Sequence, residues 1–208
     1  MAKNEKLFDA ICAGQRQEVI DIVQGIVDDG GDCVETLMGS MIPAMRHIGD
    51  RFANNEVYVP EMLIAARAMQ SGLDILEPVL AESGHEPIAK VAVGTVKGDL
   101  HDIGKNMVAM MLRGAGFDVM DLGVDCSIDD WQSAANDGAK ALCCSALLTT
   151  TMPYMKSIVE HFEPSDVKVV IGGAPITEAF ANEIGADGYS DNANGAVSAV
   201  EACLGVGV

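Results

Sequence analysis

Aromatic side chains are scarce in this sequence, at 4% (one Trp, three Tyr, five Phe), so any core must be filled by aliphatic residues and by the 12 Met. Methionine packs adaptably and also recurs at surfaces that meet several partners; core filler is the expectation for most of them here. Basic residues are scarce too, 13 against 31 acidic ones, for a formal net charge of −18. A field of that sign repels nucleic acid and anionic lipid and argues against both as partners. The six cysteines (Cys12, Cys33, Cys126, Cys143, Cys144, Cys203) include no C-x-x-C pair, and Cys143-Cys144 sits inside an apolar run. This is the usage of a reducing compartment, not of a disulfide scaffold or a zinc site. No apolar run approaches the ~18 residues of a membrane span. The N-terminal MAKNEKLFDAICAG lacks the charged-then-apolar order of a targeting peptide, so a cytoplasmic location is expected.

What is present falls into two halves with different periods. Residues 1–85 repeat apolar side chains three and four apart, as in Val19, Ile22, Val23, Ile26 and Leu37, Met41, Met45, Ile48. Gly14, Gly30-Gly31 and Asn54-Asn55 interrupt that pattern, Pro60 suits the first turn of a last helix, and Pro43 is expected to kink its own. These signals predict a four-helix bundle. Residues 82–87, Glu-Ser-Gly-His-Glu-Pro, form a polar break. From 86 to 208 short apolar runs alternate with helical stretches, with strands predicted at 88–96, 117–122, 140–145, 167–172 and 187–189. The fold class is therefore α/β: an N-terminal bundle domain, then a flavodoxin-like (Rossmann-like) domain with a five-stranded parallel sheet. Such sheets bind ligands beyond the carboxyl ends of their strands, which directs attention to the loops after strands one, three and four.

The first of these loops reads Lys97-Gly98-Asp99-Leu100-His101-Asp102-Ile103-Gly104-Lys105-Asn106. A neutral imidazole at 101 would be a good transition-metal ligand, and Asp99, if it contacts the other ring nitrogen, would fix the tautomer. Gly98 and Gly104 would let a large flat ligand approach the backbone. A lone loop His is more often a surface or capping residue, and Asp102 could simply cap the next helix. No second ligand stands at metal-binding spacing, so a metal already held by a macrocycle suits this loop better than zinc or iron.

Asp99-Leu100-His101-Asp102-Ile103-Gly104 resembles the D-x-H-x-x-G signature of corrinoid proteins and cobalamin-dependent methyltransferases. Ser145-Ala146-Leu147 after strand three matches the family's S-x-L, and Gly172-Gly173 after strand four matches its G-G element. The resemblance implies a cobalamin or related corrinoid cofactor (methylcobalamin) whose cobalt takes His101 as its lower ligand, with Asp99 hydrogen-bonded behind it. Thr151 stands where the methionine synthase relatives carry a serine that extends this relay. Ser145, Leu147, Thr149, Thr150, Gly172, Gly173 and Ala193 would line the pocket for the nucleotide tail. The bundle, through Gly49-Asp50-Arg51-Phe52 and Tyr58-Val59-Pro60-Glu61-Met62-Leu63, is similar to the helical cap of methyl-carrying corrinoid proteins, which places Tyr58 and Met62 near the upper corrin face. The function implied is a methyl carrier of one-carbon metabolism, not catalytic alone. Its implied partners are a substrate-specific methyltransferase, a corrinoid:acceptor methyltransferase and a reductive activation protein. The alternatives are a cobalamin-dependent sensor, the small subunit of a cobalamin mutase, or a flavin-binding domain that leaves the Asp99–His101 pair unexplained.

Overall fold

The structure is a computed structural model and describes residues 4–206. The chain divides into two compact units. One runs to Pro87 and takes in Arg113–Gly116; the other comprises Ile88–Leu112 and the chain from Phe117 onward.

The first unit is helical: α1 (Glu5–Cys12), α2 (Arg16–Asp28), α3 (Cys33–Thr36), a π-helical turn (Leu37–Met41), α4 (Ile42–Ala53) and α5 (Val59–Glu82). Segments α3 to α4 form one continuous helical run, so the unit has the four rods that the apolar period predicts. The breakers act as expected: Gly14, Gly30 and Asn55 all take left-handed backbone just past a helix end. Pro43 does not stop its helix. It sits in the first turn of α4, directly after the wider π turn, which accommodates a residue with no N–H to give. Pro78 lies inside α5, and the helix continues through it on an exposed face where a carbonyl without a helical partner can meet water. Met41, Met45, Met62 and Met69 are all buried, which confirms methionine as core filler in place of aromatics.

The second unit is a parallel sheet of β1 (Lys90–Val96), β2 (Asp118–Cys126), β3 (Ala141–Ser145), β4 (Lys168–Gly172) and β5 (Gly188–Ser190), in the order β2-β1-β3-β4-β5. The helices α6 (Ile103–Gly114), α7 (Ile128–Asn136), α8 (Pro153–Phe162), α9 (Glu178–Ile184) and α10 (Ala193–Leu204) alternate with the strands. β1 and β3 are apolar and buried almost throughout, as strands covered on both faces must be. Gly94 is one consequence of that packing, since a Cβ there would lie 2.9 Å from the Trp131 ring. β2 is longer than predicted and irregular: its register against β1 shifts twice, between Val93 and Gly94 and between Gly94 and Val96. Extra residues in β2 bulge out at that end, with Gly123 and Asp125 both at positive φ. Burial pushes the Cys126 thiol up to about 11 and the Cys143 thiol up to about 12, so these cysteines are inert core residues.

Candidate functional site

At the end of β1 the chain turns through Gly98 (φ +85°), and the Asp99 N–H donates to Val96 O at 3.1 Å. This turn places the Asp99 side chain inside the protein, at 0% exposure. Its carboxylate then collects donors. Oδ1 accepts from the His101 backbone N–H (3.1 Å) and faces His101 Nδ1 at 2.7 Å. Oδ2 accepts from the Leu147 N–H (2.8 Å), the Leu148 N–H (3.2 Å) and the Thr151 hydroxyl (2.9 Å). Burial by itself pushes this carboxyl up. The donors, led by the Leu147 N–H and the His101 ring, outweigh it and hold Asp99 well below the usual carboxylate range.

The ionised carboxylate fixes the histidine. A carboxylate can only accept, so Nδ1 of a neutral His101 must carry the ring proton, and Nε2 keeps its lone pair. The side chain is 51% exposed, and Nε2 has no hydrogen-bond partner among the described residues. His101 is held from its backbone as well: the buried Thr95 hydroxyl donates to its carbonyl at 2.8 Å. Thr151, itself buried, has one hydroxyl proton but two acceptors in reach, Asp99 Oδ2 and Leu148 O, both at 2.9 Å. The charged oxygen is the stronger of the two.

The other predicted residues fall around this network. Leu100 (72%), Ile103 (73%), Leu147 and Leu148 leave large apolar side chains exposed on the loops beside His101, and Val124 does so on β2. Asp102, Thr149 and Thr150 are exposed, Ser145 is half-buried at the end of β3, and Ala193 is buried in the first turn of α10. Gly172 and Gly173 are required by the protein's own backbone. A Cβ on Gly172 would lie 2.8 Å from Ser190 O, and one on Gly173 (φ +136°) would lie 1.9 Å from Ala146 O. Gly104 is the opposite case, because a Cβ there would meet nothing within 4 Å. In the helical unit Tyr58 is 66% exposed at the start of α5, whereas Met62 belongs to the core at 1%.

Several contacts at the site lie outside the residues that the sequence singles out. Lys105, nearly fully buried on α6, pairs with Asp121, whose Oδ1 also accepts from the Gly123 N–H. Asp125 touches the loop of His101 through both side chain and backbone. The strand order accounts for this: β2 lies beside β1, so the end of β2 borders the site, a neighbourhood that the loops after strands one, three and four do not reveal.

Comparison with known proteins agrees with this geometry. A B12 binding domain family matches residues 89–198, and a second B12 binding domain family matches residues 4–77. The chain belongs to the B12-binding family of corrinoid proteins. It is 36% identical over 213 residues to a corrinoid protein of Desulfitobacterium hafniense (strain Y51), with 99% of each chain covered. It is 39% identical over 184 residues to the trimethylamine corrinoid protein of Methanosarcina barkeri, with 85% of each covered. Among solved structures it resembles a chain of the methanol:cobalamin methyltransferase complex from Methanosarcina barkeri (TM-score 0.83, 25% identity, covering 96% of this chain and 78% of that one). It also resembles a cobalamin-binding protein from Desulfitobacterium hafniense DCB-2 (TM-score 0.78, 27% identity, covering 96% and 97%). The cofactor of this B12-binding protein is cobalamin or a related corrinoid. The residues present fit such a group. The loop offers one oriented imidazole nitrogen, an open space over Gly104 that a side chain would otherwise fill, and exposed apolar side chains suited to a large flat ring.

Proposed function

We propose that this protein carries a methyl group on its corrinoid cofactor, whose cobalt His101 would hold through Nε2. We propose further that it exchanges that group with a substrate-specific methyltransferase and a corrinoid:acceptor methyltransferase, and that a reductive activation protein services it. The observation that carries this reading is the 2.7 Å contact between His101 Nδ1 and a buried, ionised Asp99. When bound, the cofactor supplies a metal able to accept and release a methyl group. The chain's own residues do the rest. Asp99 holds the proton of His101 on Nδ1 and keeps Nε2 basic. Thr151 and the Leu147 and Leu148 N–H groups hold Asp99 ionised. Through this relay the donor strength of His101 Nε2 toward a bound corrinoid would follow from where one proton sits, on Nδ1 or nearer Asp99. Two relatives support the role: one is named for its trimethylamine system, and the other was crystallised in a methanol:cobalamin methyltransferase complex.

Retention of the methyl group tests the carrier role. Purified protein loaded with methylcobalamin and mixed with a thiol or tetrahydrofolate should keep its methyl group until a corrinoid:acceptor methyltransferase is added. Complete transfer between two small molecules by the chain alone would contradict it.

A further inference from the structure

The bulge at the end of β2 packs Leu122 and Cys126 against the sheet core and leaves Asp125 facing the loop after β1. Asp125 there takes φ +57°, a left-handed conformation that Asp, like Asn, adopts more readily than most side chains. Both of its polar ends reach the same stretch of the neighbouring loop. Its Oδ1 accepts from the Gly98 N–H at 2.7 Å, and its own N–H donates to Asp99 O at 3.0 Å. In this left-handed turn one residue presents an acceptor and a donor to two successive residues of that loop. The bulge is itself tied down one step earlier, where Asp121 receives the Gly123 N–H and the buried Lys105 ammonium.

We propose that Asp125 is a positioning residue for the imidazole of His101: from β2 it holds the Gly98 N–H and the Asp99 carbonyl, bracketing these two residues, and so fixes the turn from which Asp99 and His101 project. The Asp99 relay orients the imidazole ring through its side chains, and Thr95 holds the His101 carbonyl. Asp125 holds the start of the same loop, and without it Asp99 keeps its donors only if the turn stays put unaided. The consequence for cobalt ligation rests on the proposed role of His101; the grip itself does not.

Two variants separate the grip from the turn. Asp125→Gly removes the carboxylate while relieving the left-handed backbone. Asp125→Asn keeps an acceptor oxygen on a residue that tolerates that backbone. In the corrinoid-free protein, hydrogen exchange at the Gly98 amide should rise about tenfold in Asp125→Gly and stay near wild type in Asp125→Asn. Thermal stability of both should change by only about a few degrees, since the contact is exposed. With aquocobalamin added, Asp125→Gly should bind about tenfold more weakly and show a smaller His-on fraction in the visible spectrum, at the low end for groups that hold a ligand in place. Asp125→Asn should restore both. Unchanged Gly98 exchange in Asp125→Gly would overturn the grip. Raised exchange with wild-type affinity and spectrum would overturn the positioning role. A His101→Ala control with an undiminished His-on spectrum would sink the ligation reading instead, while the Gly98 exchange would still decide the grip.

Discussion

The two units bury polar groups for different purposes. Among the described residues of the helical unit, the buried polar residues are three hydroxyls, Thr36, Ser40 and Ser71, and each has a hydrogen bond to backbone or to a neighbouring side chain. The sheet unit buries a carboxylate (Asp99) and an ammonium (Lys105) besides its hydroxyls. Burying a charge is expensive unless it is fully paired. Asp99 is surrounded by five donors, which exceeds the roughly four lone-pair sites a carboxylate offers. A protein needing only stability would place an apolar side chain there. The hydroxyls buried in the helical unit close local hydrogen bonds, whereas in the sheet unit Asp99, Thr95 and Thr151 converge on one histidine.

The sharpest way to break this contrast is to remove a buried polar group from each unit. Asp99→Ala leaves backbone and hydroxyl donors without an acceptor and should cost about 4 kcal/mol in urea unfolding, together with loss of the His-on spectrum. Ser71→Ala in the helical unit should cost about 1 kcal/mol and leave corrinoid binding alone. Equal losses would erase the distinction.

Gly173→Ala drives a Cβ to 1.9 Å from Ala146 O at a positive φ and should cost about 3 kcal/mol by thermal or chemical unfolding. A fully folded, wild-type-stable variant would show that the β3 and β4 ends are not in the contact described.

A pH series distinguishes the sheet core from the rest. The folded value of Cys143, pushed up to about 12 by burial, lies above that of the unfolded thiol. Its contribution is full below the unfolded value near 9 and is lost as pH rises toward 12, so stability should fall by about 1 kcal/mol per pH unit above roughly pH 9. Cys143→Ala should remove that part of the slope. An unchanged alkaline slope in the variant would contradict the assignment.

The smallest effect on folding is the most telling for function. Gly104→Ala meets nothing within 4 Å on a helix and should raise the stability of the corrinoid-free protein by about 0.5–1 kcal/mol while weakening aquocobalamin binding. Stabilisation with unchanged binding would mean that the open space over Gly104 does not receive the ring.

The alternation of periods makes the order of elements legible in the sequence, and the Asp99–His101 pair and Thr151 are legible because they match a known signature at strand ends. Other features depend on pairings that no local pattern encodes. The bulge in β2 arises from its register with β1, so Gly123-Val124-Asp125 reads only as turn composition. Lys105 looks like a surface lysine until α6 is laid against Asp121. Tyr58 and Met62 share a motif in the sequence, yet one is exposed and the other is core, because Tyr58 is the extended residue that precedes α5 whereas Met62 lies within the helix on its buried face. The glycines differ in a way the sequence does not reveal: Gly172 and Gly173 are hemmed in by neighbouring backbone, whereas Gly104 is open.

The central claim is a bond between one nitrogen and cobalt, and electron paramagnetic resonance reads it directly. Protein loaded with the corrinoid in its cobalt(II) state should show nitrogen superhyperfine splitting whose multiplicity changes when histidine is replaced by 15N-histidine, and which disappears in His101→Ala. A splitting indifferent to the histidine label, or one that survives in His101→Ala, would contradict the account.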